Sequence, residues 1–123
     1  MIPPILRAHP DVEVLTEERC HILELSNSED DPELSIARAR VEPGVTTRWH
    51  RVVDTLERYV ILDGAGRMEV GDLPQQEVQA GDVVLIPPSV RQRITNVGTS
   101  DLVFLAICVP RFRREAYEDA EGL

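Results

Sequence analysis

Apolar and polar residues alternate along most of this chain, in short stretches that are separated by turn residues. In the segment 34–41 (LSIARARV), small or apolar residues lie on one face and Arg38 and Arg40 on the other, as in a half-buried strand. Further stretches predict strands: 20–26, 47–53, 56–62, 66–72, 81–87, 91–97 and 102–109. With a turn signal about every eight to twelve residues, this pattern predicts an all-β sandwich or barrel.

The remaining segments carry weaker signals. Residues 10–19 predict a short leading strand, and the acidic, turn-rich segment 26–33 predicts a loop. Segment 72–78 (DLPQQEV) predicts a loop or the tip of a hairpin. Segment 112–121 (FRREAYEDAE) contains helix formers and no breaker, which predicts a short C-terminal helix.

Two of the predicted strands are apolar on both faces, namely 56–62 and 102–108. Strands that are buried on both sides have this composition. One explanation is that the C-terminal segment or a loop covers the outer face of the sheet. The other, which we favour, is a homodimer formed through an outer sheet face.

Length and charge narrow the class of protein. The chain has 123 residues, which is one domain, and aromatic residues make up only 4%, so the core must be aliphatic. The net charge of −9 argues against a nucleic-acid partner, whose phosphates require a basic surface. No apolar run approaches the ~18 residues of a membrane span, and prolines at positions 3, 4 and 10 argue against a signal peptide. We therefore expect a cytoplasmic protein that binds neither nucleic acid nor a membrane.

Two cysteines, Cys20 and Cys108, lie far apart in the sequence. In a reducing compartment a disulfide between them is not expected. The chain has no CxxC pair, so a structural zinc site has no support. Cys108 ends an apolar run and is interpreted as a small buried hydrophobic residue.

The stretch 44–64 (GVTTRWHRVVDTLERYVILDG) sets a histidine and a glutamate between two glycines. Its spacing is Gly44, five residues, His50, then Glu57, six residues and Gly64. This resembles the first motif of the cupins, except that Val52 stands where that motif has a second histidine.

A second stretch, 81–96 (GDVVLIPPSVRQRITN), follows in the expected order and resembles the second cupin motif. Pro87 and Asn96 fit that motif, whereas Ser89 replaces its glycine and Gln92 its histidine. The chain is similar to the small single-domain cupins of the type-2 group. The resemblance implies a double-stranded β-helix, that is, a jelly-roll barrel with a pocket at one end.

The resemblance also implies how the chain is divided. We expect an N-terminal arm and leading strand (1–33), a cupin barrel (34–110) and a C-terminal helix or tail (111–123), all in one domain. It implies no particular reaction, because this fold carries oxygenases, isomerases, decarboxylases and binding proteins.

Metal-binding cupins use three histidines and one glutamate from these motif positions. Transferred residue by residue, only His50 and Glu57 are kept, with Gln92 as a weak amide ligand. The implied metal site is therefore His50, Glu57 and Gln92, for a divalent ion such as Mn, Fe, Ni or Zn. His9 and His21 could supply a missing nitrogen, but neither has motif support.

Side chains alternate along a strand, so the residues that share a face with His50 or Glu57 should line the pocket. These are Arg48, Val52, Tyr59, Ile61, Gln92 and Ile94. His50, Glu57 and Tyr59 are the candidate catalytic residues. Arg48 is either a solvated rim charge or, if it points inward, a fork for a carboxylate or phosphate. Trp49 has the opposite parity and is expected to pack outside the barrel.

Four functions remain open. The first is binding of a small polar molecule, with an anion as one option, in a barrel whose metal site is degenerate. The second is a metal-dependent oxygenase or isomerase that uses His50, Glu57 and Gln92. The third is a metal-free enzyme with a His50–Glu57 acid–base pair. A purely structural or interaction role is the fourth.

Overall fold

A computed structural model describes residues 3–122, which form two antiparallel sheets. The strands are β1 (Val14–Leu15), β2 (His21–Ser28), β3 (Asp31–Val41), β4 (His50–Val52), β5 (Leu56–Asp63), β6 (Ala65–Val70), β7 (Gln76–Gln79), β8 (Val83–Ile86), β9 (Gln92–Asn96), β10 (Leu102–Val109) and β11 (Tyr117–Asp119). One sheet has the order β1-β2-β3-β10-β5-β8 and the other β11-β4-β9-β6-β7. The all-β prediction is confirmed.

The order of strands brings the two motif stretches into contact. β10 lies between β3 and β5, while β9 lies between β4 and β6. The first motif contributes one strand to each sheet: β4 lies in the five-stranded sheet and β5 in the six-stranded sheet. Its histidine strand, β4, pairs with the strand of the second motif through His50 and Gln92.

The core lies between the sheets and follows the period-two alternation of the strands. On β5, the buried positions are Glu57, Tyr59 and Ile61, and their neighbours are more exposed. On β9, Ile94 and Asn96 are about 1% exposed. The core is mostly aliphatic, as the scarcity of aromatic residues predicts. Burying each large aliphatic side chain contributes about 1.5–3 kcal/mol.

One connection is tighter than the sequence pattern indicates, and another is as predicted. The loop expected over 26–33 is wrong: β2 and β3 continue to Ser28 and from Asp31, so only two residues form the turn. The Asp63–Gly64 turn is as predicted, and Gly64 has a φ of +89°. A Cβ at Gly64 would lie 2.8 Å from the carbonyl oxygen of Asp101, so the position requires glycine.

The predicted C-terminal helix is wrong. Residues Arg114–Ala116 form a single 3-10 turn, and β11 then pairs with β4 in the register Tyr117↔Val52 and Asp119↔His50. The edge of the short strand β4 offers unpaired backbone groups, and pairing with them outweighs the helix propensity of the segment. The 3-10 turns aside, residues 3–122 contain no helix, hence none long and apolar enough to cross a membrane.

Candidate functional site

A cavity of about 60 Å³ lies between the two sheets. Strands from both sheets line it, together with residues of both terminal segments. Its lining residues are Glu18, Cys20, Ile22, Ala39, Thr47, His50, Val52, Glu57, Tyr59, Phe104, Ala106, Phe112 and Tyr117. The cavity thus joins an apolar wall to one imidazole, two carboxyl groups and two phenols.

His50 is the most constrained polar group of the cavity. It is 4% exposed, and its Nδ1 lies 2.8 Å from the carbonyl oxygen of Arg48. Because a carbonyl only accepts hydrogen bonds, Nδ1 carries the proton and donates. The Tyr117 ring stacks on the imidazole, with 5.3 Å between ring centroids. The ring is therefore held with its second nitrogen, Nε2, free for another partner.

That partner is Glu18, a residue that lies outside both sequence motifs. Glu18 Oε2 is 3.4 Å from His50 Nε2. Burial raises the pKa of Glu18, and the charge of His50 acts in the opposite direction. Nε2 of His50 and the carboxyl group of Glu18 therefore face each other across the cavity.

Glu57 lies deeper in the barrel and has its own partners. It is 6% exposed, and its Oε1 accepts a short hydrogen bond from the amide of Gln92. The Cys108 thiol lies 3.7 Å from Oε2 and donates weakly to it. Burial raises the pKa of Glu57, while His50 and the Gln92 amide oppose the shift. Gln92 Oε1 is buried and has no hydrogen-bond partner among the described residues.

The expected direct pair of His50 and Glu57 is therefore replaced by two separate pairs. His50 faces Glu18, and Glu57 faces Gln92. The motifs predicted that His50, Glu57 and Gln92 come together, but not this pairing. Glu18 had no sequence signal, because its position depends on a turn that folds back from the N-terminal segment onto the barrel.

Of the other predicted lining residues, Val52 and Tyr59 lie in the cavity wall. The Tyr59 ring packs on Phe104 at 4.3 Å between centroids, and burial raises the pKa of its phenol well above the ordinary value. Ile61 and Ile94 are part of the hydrophobic core instead. Gln92 contacts Glu57 but is not part of the cavity wall.

Arg48 does not point into the cavity. Its guanidinium donates two hydrogen bonds of 3.1 Å to Asp119 at the surface. Strand alternation does not apply here, because β4 begins only at His50 and the preceding residues are irregular. The backbone carbonyl of Arg48, rather than its side chain, contributes to the site.

The neighbouring aromatic residue, Trp49, lies outside the barrel. The guanidinium groups of Arg91 and Arg93 lie 4.3 and 4.5 Å from its ring centroid. Its position agrees with the expected outward packing, and the two contacts are cation–π interactions.

The other two histidines are remote from His50. His21 binds Glu42 at 2.8 Å, and His9 is exposed in the N-terminal segment. Neither supplies a nitrogen to the cavity. Cys20 and Cys108 are both free and buried, and burial raises the pKa of each thiol. Buried thiols of this kind are unreactive.

Comparison with known proteins decides the family. The sequence profile described as "Cupin domain" matches residues 37–108, which is more than half of the chain. The chain is a cupin. An uncharacterized protein of Methanocaldococcus jannaschii is 36% identical to it over 89 residues, which cover 72% of this chain and 68% of that protein.

Solved structures share the fold of this cupin. A predicted oxalate decarboxylase of Thermotoga maritima is 27% identical, with a TM-score of 0.67 over 74% of this chain and 80% of that one. The oxalate decarboxylase of Bacillus subtilis is 24% identical, with a TM-score of 0.77 over 90% of this chain. This cupin spans only 30% of the Bacillus enzyme, so that likeness shows the fold alone.

The Bacillus enzyme has Mn(II) centres, whereas this cupin offers fewer ligands for such an ion. Within residues 3–122, no group of three or more His, Cys, Asp or Glu side chains is placed to hold a metal ion. Of the motif positions, His50 and Glu57 offer a nitrogen and a carboxylate, and the amide nitrogen of Gln92 faces Glu57. Transition metals need more imidazole, carboxylate or thiolate ligands than this. The residues do not fit the metal, and no metal-dependent step is derived.

Proposed function

We propose that this cupin binds a small polar molecule in the barrel cavity beside His50. The observation that supports this most directly is the fixed imidazole: its Nδ1–H is held by a backbone carbonyl and its Nε2 points to a carboxyl group in a partly apolar cavity. Sites for small molecules combine such an apolar wall with a few placed polar groups. The volume of about 60 Å³ admits a few water molecules or a ligand of similar size.

Filling the cavity tests this proposal. Ala106 lines the cavity, and its cross-strand partner Ala37 does not. Binding of small polar molecules can be followed by the NMR resonances of the His50 ring in the wild type, in Ala106→Val and in Ala37→Val. We expect saturable shifts that weaken in Ala106→Val and persist in Ala37→Val. If no molecule from a broad set of small amides, alcohols, amines and acids shifts His50 in the wild type, the proposal is wrong.

Metal-free acid–base chemistry is the second candidate, and the 3.4 Å approach of Glu18 to His50 favours it. A carboxyl group and an imidazole this close to each other can move a proton to or from a bound molecule. The carboxylate of this pair is Glu18 rather than Glu57. Exchange of the methyl protons of acetone in D₂O with EDTA present is a general readout. Acceleration by the wild type that is lost in Glu18→Gln would support this function, and no acceleration would argue against it.

A second copy of the chain is the proposed protein partner. On the outer face of the six-stranded sheet, Val83 and Leu85 are 55% and 60% exposed, beside Val60 and Leu105 of the next strands. Such an apolar stripe suits an isologous dimer, in which the same patch occurs on both subunits. Leu85→Glu should shift the mass measured by light scattering from dimer to monomer. Leu73→Glu, in the loop between β6 and β7 of the other sheet, should not.

A cytoplasmic location belongs to the same proposal. Both cysteines are free and buried, as suits a reducing compartment.

A further inference from the structure

Glu18 is held over the cavity by a compact turn of the N-terminal segment. The backbone N–H and the hydroxyl of Thr16 donate to the carbonyl oxygen of Cys20 at 2.9 and 2.8 Å. Between them, Arg19 has a φ of +69°, a backbone conformation that costs about 1 kcal/mol or more in a residue with a side chain.

Two contacts to the barrel hold this turn in place. The backbone N–H of Arg48 donates to the carbonyl oxygen of Glu18 at 3.1 Å. The guanidinium of Arg19 donates to the carbonyl oxygen of Thr46 at 2.8 Å. The turn is therefore docked on the segment that precedes His50, and it carries the Glu18 carboxyl group to 3.4 Å from the imidazole.

The cavity wall contains acidic side chains but no arginine. Its titratable groups are Glu18, Glu57, His50, Cys20 and the two tyrosines, and no arginine belongs to its wall. All 13 arginines and lysines of the chain are arginines, and Arg48, two residues before His50, is bonded to Asp119. Glu18 already faces the imidazole of His50 at 3.4 Å, and no arginine of the wall would compensate a buried anion, which is costly to desolvate.

We propose that Glu18 is the specificity-determining residue of the cavity, and that together with Glu57 it restricts the ligand to an uncharged or cationic hydrogen-bond donor such as an amide or an amidine. This inference rests on the proposed binding function. It excludes the anion that the sequence had left open as a ligand.

A series of three molecules of nearly the same shape tests it: acetate, acetamide and acetamidinium. The readout is the saturable shift of the His50 ring resonances of the full chain at neutral pH and constant ionic strength. In the wild type we expect acetamidinium and acetamide to bind and acetate to bind at least about tenfold more weakly, since an unpaired buried charge costs at least this much. In Glu18→Gln the preference for acetamidinium over acetate should fall about tenfold or more.

Glu17→Gln is the matched control, because Glu17 is exposed in the same turn. It should leave the order of the three molecules unchanged. Acetate binding as tightly as acetamidinium in the wild type would overturn the inference and leave the binding function standing. An unchanged preference in Glu18→Gln would overturn the role of Glu18. If none of the three molecules shifts His50, both this inference and the proposed binding function are wrong. The comparison of the three molecules in the wild-type protein does not depend on the folding of any variant.

Discussion

The barrel strands and the two terminal segments contribute differently to the site. The strands between residues 37 and 108 match the cupin family and carry His50 and Glu57 at motif positions. The terminal segments lie outside that match, yet they supply the carboxyl group that faces His50 and the ring that stacks on it, Glu18 and Tyr117. The barrel therefore accounts for where the cavity lies. The segments around it decide what chemistry the imidazole meets there.

The largest expected effect concerns the barrel itself. Ile94 is 1% exposed in the core, so Ile94→Ala should lower the free energy of unfolding by about 2–5 kcal/mol through lost burial and the cavity left behind. Denaturant unfolding measures this. Leu73→Ala, at a position that is 68% exposed, should change it by less than about 0.5 kcal/mol. Similar losses in the two variants would contradict the placement of the core.

The next prediction concerns the two motif positions at which this chain lacks a histidine. Val52 and Gln92 stand at the two replaced histidine positions and are 4% and 0% exposed. Val52→His combined with Gln92→His should raise the affinity for Zn(II) or Mn(II) about 100-fold or more, since even an outer-sphere partner contributes about 10–100-fold. Elemental analysis of dialysed protein measures occupancy. The control is the double variant Val97→His and Thr99→His, at exposed positions. Equal metal occupancy in the two double variants would show that positions 52 and 92 do not face a common metal site.

A smaller effect tests the C-terminal segment. Tyr117→Ala removes the ring that covers His50 and should cost about 1–2 kcal/mol of unfolding free energy, more than area alone because the stacked pair is lost. Tyr117→Phe keeps the stacking and should behave nearly as the wild type. Denaturant unfolding of both variants, with the line width of the His50 ring in NMR spectra, separates them. A Tyr117→Ala variant as stable as Tyr117→Phe would show that the stacking does not matter.

The smallest effect lies in the N-terminal segment and depends on pH. Arg40 donates to Glu13 at 2.7 Å and holds the pKa of that carboxyl below its ordinary value of 4.5. Because the folded-state pKa is lowered, this stabilisation is present above about pH 4.5 and is lost as the pH falls through the folded-state value.

Unfolding free energies of the wild type and Glu13→Gln measured across pH test this. The difference between them should be present at neutral pH and shrink toward zero in acid. Exposed Glu33→Gln, which also removes one carboxyl group, is the control. A difference for Glu13→Gln that stays constant with pH would contradict the ion pair.

The failed predictions share a physical cause. Segment 112–121 has the local composition of a helix, but β4 presents an edge that its backbone can pair with, and nothing in the local pattern reports that edge. Arg48 is two residues before His50 and would share its face if both lay in one strand. Side chains alternate only within a strand, however, and β4 begins at His50. The predicted strands 56–62, 91–97 and 102–109 agree with β5, β9 and β10, because turn residues mark their ends in the sequence.

The sequence alone determined the all-β fold, the cupin family and part of the cavity wall, namely His50, Val52, Glu57 and Tyr59. These depend on strand alternation and on motif spacing, which are local or nearly local properties. Only the tertiary structure decided that His50 pairs with Glu18, that Glu57 pairs with Gln92 and that Arg48 turns to Asp119. Each of these contacts joins residues 32 to 71 positions apart. They form when the chain closes on itself, because buried polar groups must then find partners wherever the fold offers them.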